Sequence, residues 1–176
     1  MNDNLVAAKT AMVAFFGALF AFLGWRMVLL LVWVFLMCVD YLSGTLAARQ
    51  NGTWKSQTAK DGVGHKIGMI FVVLVVGMAD FVIMVICDSL PNDVLPFSWP
   101  MPIFPMVTLW YILTEFGSII ENSIEMGANV PSWLPKLLNA TVHAVENVGD
   151  AVVEQAVKGV SEAQIDSETI GIPENE

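Results

Sequence analysis

Charge is scarce in this chain: Asp, Glu, Lys and Arg make up 14% of it, and only eight residues are basic, while 56% are hydrophobic. Such a balance excludes an ordinary water-soluble domain, which needs roughly a quarter of its residues charged. Cysteine is nearly absent. Cys38 and Cys87 both lie in apolar runs, which excludes a disulfide framework and reads as two small buried side chains. The two histidines, His65 and His143, stand alone, so no metal-spaced His/Cys set exists in the sequence. There is no phosphate-cradling glycine loop and no serine or cysteine nucleophile beside a plausible base. We therefore expect no enzyme activity and no cofactor. The net charge of −9 comes mostly from acids at and beyond Glu115, and an acidic tail of this kind excludes nucleic acid and anionic lipid as its partners. The N-terminus lacks the basic start and small-residue cleavage site of a removable signal, so the first apolar segment is expected to be retained.

What the chain has in abundance is long apolar runs. Met27 to Val39 carries no charge, and a helical pattern continues past Asp40 to Ala48. At 1.5 Å per residue this stretch reaches about 33 Å, matching a hydrocarbon core of roughly 30 Å. Asp40 thus falls inside a membrane span. A charge there costs about 2.5–3.5 kcal/mol on insertion scales, so it must be neutralised, paired or turned toward water. Upstream, residues 11–23 are apolar but short for a span. They form either a separate helix ending at Gly24-Trp25-Arg26 or the first half of one long helix; the glycine and the interfacial character of Trp25 and Arg26 favour the break. Met69 to Cys87 holds twelve Leu, Ile, Val or Phe residues against Asp80 alone. Those contribute about −4 to −7 kcal/mol against about +3 for the aspartate, so this span inserts. The segment from Met106 to Ile120 is marginal, because Glu115 and its Thr and Ser residues consume most of its apolar gain. It enters a bilayer only beside partners that cover Glu115, or along an aqueous lumen.

Between these runs the connections differ in character. Arg49, Lys55, Lys60 and Lys66, half of all basic residues, fall in one expected loop after Ala48, and the positive-inside rule places it in the cytoplasm. Asp88 to Pro105 holds five of the eight prolines, Trp99 and no basic residue, and reads as an extracytoplasmic interfacial loop. Beyond Pro131 and Pro135, apolar residues from Leu138 to Val160 recur at helical spacing, and Glu146, Asp150, Glu154, Lys158 and Glu162 stand four apart. That is an amphipathic helix, expected to self-associate or to pack on the cytoplasmic ends of the spans.

The expected fold is an all-α integral membrane protein with three to four transmembrane helices. Four are preferred, at about 11–23, 27–48, 67–87 and 104–121, with both termini cytoplasmic. The membrane domain covers 1–122, a linker 123–135, the amphipathic cytoplasmic helix 136–164 and a disordered acidic tail 165–176. Polar residues expected in a pore or between helices are Asp40, Asp80, Glu115, Glu121 and Asn122. Small residues suited to close helix approach are Gly17 and Ala21, in a face with Ala14 and Ala18, and Gly44 with Ala48; Gly64 and Gly68 form a further pair. The carboxylates leave two readings open, proton or ion translocation and the lining of a water-filled hole built from many copies.

Two blocks of residues carry a resemblance. Asp40-Tyr41-Leu42-Ser43-Gly44, followed by Ala47-Ala48, Asn51-Gly52, Ser56, Gly64, Lys66 and Gly68, and then Tyr111, Glu115, Ser118, Glu121-Asn122, Gly127, Pro131 and Leu134, resemble the toxin-secretion/phage-lysis holin family over roughly residues 5–138. The resemblance implies a small phage-encoded protein that accumulates in the bacterial inner membrane, oligomerises and opens timed holes that release or activate an endolysin. Its partners would be itself, the lipid bilayer and, functionally, the endolysin. It fits equally an antiholin that forms inactive complexes, for which Met12 offers a second start. The long acidic tail departs from the short basic tails common in that family.

Overall fold

The computed structural model describes residues 3–90 and 101–170, and every element among them is an α-helix: α1 Asp3–Leu23, α2 Arg26–Gln50, α3 Ser56–Ser89, α4 Ile103–Glu125 and α5 Trp133–Ile170. The first four are each long and apolar enough to cross a membrane. The break after α1 falls at Gly24 and Trp25, where Gly24 takes a left-handed φ of +55° that a residue with a Cβ adopts poorly. At the other end of α2, Gly52 (φ +68°) turns the chain, and the amides of Asn51, Gly52, Thr53 and Trp54 bond back to the carbonyls of Ala47, Arg49 and Ala48. The helix terminus is satisfied by its own turn.

The expected basic loop is mostly helix. α3 starts at Ser56, so only Lys55 lies in the connection, while Arg49 closes α2 and Lys60 and Lys66 ride on α3. No proline interrupts the stretch after Ser56, and Gln57 donates to Asp61 one turn on (3.0 Å), so the helix of the span extends outward through Gly64 and Gly62. The expected extracytoplasmic loop, with Trp99, falls largely on 91–100, outside the described residues. α4 begins just after it. Pro102 precedes the helix and Pro105 sits in its first turn, where a missing N–H breaks no helical bond.

The first-turn amides of α4 need acceptors, and one comes from another helix. Asp80 on α3, fully buried, accepts a hydrogen bond from the Phe104 amide at 2.6 Å. Its carboxylate thus faces the positive end of the α4 dipole, which explains an aspartate in the middle of the α3 apolar run. Beside it, Gly77 lets the Phe104 ring close in: a Cβ there would stand 3.1 Å from the ring. Thr108, also fully buried, returns its hydroxyl to the Phe104 carbonyl (2.7 Å).

α4 is the hub. Trp33 of α2 stacks on Tyr111 with centroids 5.5 Å apart, and Gln50 reaches the Met126 carbonyl, so α2 and α4 run parallel. Lys66 meets Glu115 while Asp80 meets Phe104, so α3 runs antiparallel to α4. The core between them is Trp33, Leu36, Met37, Met69, Val73, Phe104 and Ile112. α1 touches this bundle near its C-terminal end, where Phe22 meets Phe81 edge-on at 5.4 Å. The face with Gly17 and Ala21 is exposed, and a Cβ on Gly17 would meet nothing within 4 Å. Cys38 is exposed on α2 rather than buried as expected, while Cys87 is buried; both are free. α5 does not rest on the ends of the spans. It folds back along α4, with Trp110 Nε1 donating to Glu146 Oε1 (3.1 Å) and Leu138, Val142, Val145 and Val152 half-buried. The helix continues to Ile170, past the expected end at 164, and residues 171–176 lie outside the described residues.

Replacing Asp80 with Ala should lower stability by about 1–3 kcal/mol, the usual cost of stranding a buried donor. Asp80→Asn, which keeps an acceptor oxygen, should lose less. Thermal unfolding of the purified protein in detergent, followed by circular dichroism, measures both.

Candidate functional site

Three charged side chains from three helices meet in the bundle. Asp40 lies ten residues before the end of α2, Lys66 ten residues after the start of α3 and Glu115 ten residues before the end of α4. At 1.5 Å per residue all three sit about 15 Å from the end of the bundle that carries the basic residues. Equal depth makes contact possible, and the packing of α2 and α3 on α4 makes it happen. Lys66 Nζ lies 2.8 and 2.7 Å from the two oxygens of Glu115 and 3.0 Å from Asp40 Oδ2. The Glu115 side chain is 3% exposed, Lys66 16% and Asp40 18%. One cation therefore serves two carboxylates in a largely buried setting.

Asn122 completes the arrangement from one helix. Its Nδ2 donates to Asp40 Oδ1 (3.0 Å) and to Ser43 Oγ (2.9 Å), while Ser43 in turn donates to the Asp40 carbonyl (3.0 Å). Both Asp40 oxygens are thus occupied, one by Lys66 and one by Asn122. Gly44 lies against this amide: a Cβ there would stand in van der Waals contact with Asn122 Nδ2 at 3.4 Å. At this small residue α2 and α4 approach each other within the chain.

Next to this clasp a cavity of about 540 Å³ opens between α2, the first turns of α3 and α4. Tyr41, Thr45, Thr53, Lys55, Thr58 and Glu121 line it together with Asp40, Lys66 and Asn122. Glu121 is exposed there and forms no part of the clasp. Ala48, half-buried, also lines this space. Of the five polar residues expected in a pore or between helices, the fold joins Asp40, Glu115 and Asn122, places Glu121 at the cavity and sends Asp80 to the opposite end of the bundle as the cap of α4. Lys66 was assigned to the basic loop and is instead the centre of the site. The signal that finds it is positional, because a helix started at Ser56 carries Lys66 to the depth of Asp40.

Helices, clasp and cavity describe a multi-pass membrane protein whose polar groups converge inside its bundle. The chain belongs to the bacteriophage holin family, whose model matches residues 17–142 and so includes the whole clasp. That family consists of non-enzymatic membrane pore formers. Among curated relatives, an uncharacterized protein of Clostridium perfringens is 32% identical over 142 residues, covering 78% of this chain and 93% of the relative. Uncharacterized proteins of Listeria monocytogenes and Listeria innocua are each 29% identical over 124 residues, covering 70% of this chain and 79% of theirs. No solved structure matches.

Lys66→Met should strand two carboxylates and cost about 3–5 kcal/mol, as removal of one partner from a buried ion pair does. Adding Glu115→Leu and Asp40→Asn to that variant should recover most of the loss. Thermal melting in detergent checks the pair of results.

Proposed function

We propose that this protein is a holin: it accumulates in the bacterial cytoplasmic membrane, oligomerises and opens timed holes through which an endolysin is released or activated. The observation that carries the reading is the Asp40–Lys66–Glu115 clasp, set about 15 Å into the bundle of a chain that belongs to a pore-forming family. Charged groups at such depth are expensive in lipid and are spared that cost in a bundle interior or against water. The positive-inside rule supports an orientation with Arg49, Lys55 and Lys60 toward the cytoplasm, so that the cavity beside the clasp opens on that side. With four spans, the N-terminus and the end of α4 share that side. A membrane domain over 1–122, followed by a linker and an amphipathic segment, accords with this arrangement.

The chemistry asked of the protein is physical. While the three charges satisfy one another, α2, α3 and α4 are held in one register and the chain presents an apolar exterior to lipid. Parting the helices sets one positive and two negative groups against whatever enters between them, and only water solvates them well. The clasp is thus a feature that favours a compact state in lipid and a hydrated state once helices separate.

Controlled expression in a bacterium, with a dye, a small folded protein and a large one in the cytoplasm, tests the reading. Abrupt, delayed escape of folded protein is the expected result. Collapse of membrane potential without protein escape would replace the hole with an ion pathway, and no leakage from membrane-inserted protein would favour an inhibitory partner of a separate hole former. Asp40→Leu should shift the moment of lysis or abolish it at equal expression, read from culture turbidity.

A further inference from the structure

The position of α5 conflicts with its composition. Its contacts carry it back along α4 to the end far from the basic residues: Glu146 meets Trp110, and a Cβ on Gly149 would lie 3.7 Å from Met106 Cε, with both partners in the first turns of α4. Yet α5 is not among the helices apolar enough to cross a membrane. Its side turned from α4 is exposed and carries His143, Asp150 and Glu154 among the exposed Val148, Val153 and Val157. In lipid, each acid near mid-depth is costly to bury. Beyond Asp150 the helix carries Glu154, Lys158, Glu162, Asp166 and Glu168, and these residues would have to pass the bilayer to reach the far side of α4. A docked α5 therefore requires water along its outer face at the depth where α4 spans.

We propose that α5 is a two-position helix. In a lone protomer surrounded by lipid it stays in the water at the basic end of the bundle. In the assembled protein it lies along α4 as the wall of the aqueous lumen, its acidic stripe toward water and Leu138, Val142, Val145 and Val152 toward α4. This inference rests on the hole-forming function proposed above and adds the element that wets the hole. α4 alone is a poor lining, because Leu109 and Phe116 are exposed on it and its one buried acid is committed to Lys66. Docking and opening are thereby linked: water in the lumen makes the docked position favourable, and the docked helix supplies polar surface that keeps the lumen wet. The last twenty residues of the helix, about 30 Å long, then extend past the far end of α4.

The test is a thiol crosslink in the full-length chain. Met106→Cys and Gly149→Cys are introduced into a Cys38→Ala, Cys87→Ala background, and a short bismaleimide is applied to membranes sampled before and after release of cytoplasmic protein. The expected result is an intramolecular crosslink whose yield rises at least several-fold when cargo escapes. Equal yields before and after, or no crosslink in samples that release cargo normally, would overturn the two-position helix. If this pair fails to release cargo, Trp110→Cys with Glu146→Cys gives the same readout at a second contact. A parent chain that never releases cargo would overturn the hole-forming function itself, and is distinguished from the crosslink outcomes, which are scored only where cargo escapes.

Discussion

A lysine held between two carboxylates inside an apolar bundle sets the terms for the rest of this structure. Most of the contact is buried, so each charge finds its partner within the chain, and the partners come from three different helices. Lys66 can satisfy Asp40 and Glu115 together only if α2, α3 and α4 keep one relative register. Asn122 then occupies the remaining Asp40 oxygen. Apolar packing around Trp33 and Ile112 is tolerant of small sliding, since one methyl group replaces another at little cost. The ionic contact is not, because a helix displaced by one turn would leave a buried charge alone.

The same logic explains how a weakly apolar segment becomes the hub. α4 carries Glu115 and several hydroxyls, and by composition its insertion is close to break-even. Every one of those groups that is buried has a partner: Glu115 has Lys66, Thr108 bonds the Phe104 carbonyl and the helix start is capped by Asp80. α4 is therefore a span by virtue of α2 and α3. The two intramembrane aspartates have different tasks at opposite ends of the bundle, Asp40 binding helices side to side and Asp80 fixing where α4 begins.

The bundle formed in this way is tight around α4 and open elsewhere. α1 meets the rest near one end, and the exposed faces of α1 and α3 are rich in Phe, Val and Leu, as lipid-facing surfaces are. The acidic helix α5 covers a further side of α4 through a narrow stripe of small apolar residues and one indole hydrogen bond. Val148, Val153 and Val157 fall outside that stripe and remain exposed, so the contact is limited in area. The bundle thus has a core held by charge and a periphery held by little.

The amino-acid sequence by itself determined the membrane class, a preference for four apolar spans over three, the helix break at Gly24, the family and five polar residues, Asp40, Asp80, Glu115, Glu121 and Asn122, as the centre of interest. These follow from local quantities, namely hydropathy summed over a window, a glycine where a helix must turn and a carboxylate where lipid should be. Only the tertiary structure decided what those residues touch. It moved Lys66 from a loop to the heart of the clasp, because helix α3 runs unbroken from Ser56 through Gly62 and Gly64 into the apolar run. It made Asp80 a helix cap, because the start of α4 happens to pack against that turn of α3. It laid α5 along α4 instead of across the ends of the spans. Contacts between helices depend on register and crossing geometry, which no single segment encodes, and that is why the positions of the charges could be read from the chain while their partners could not.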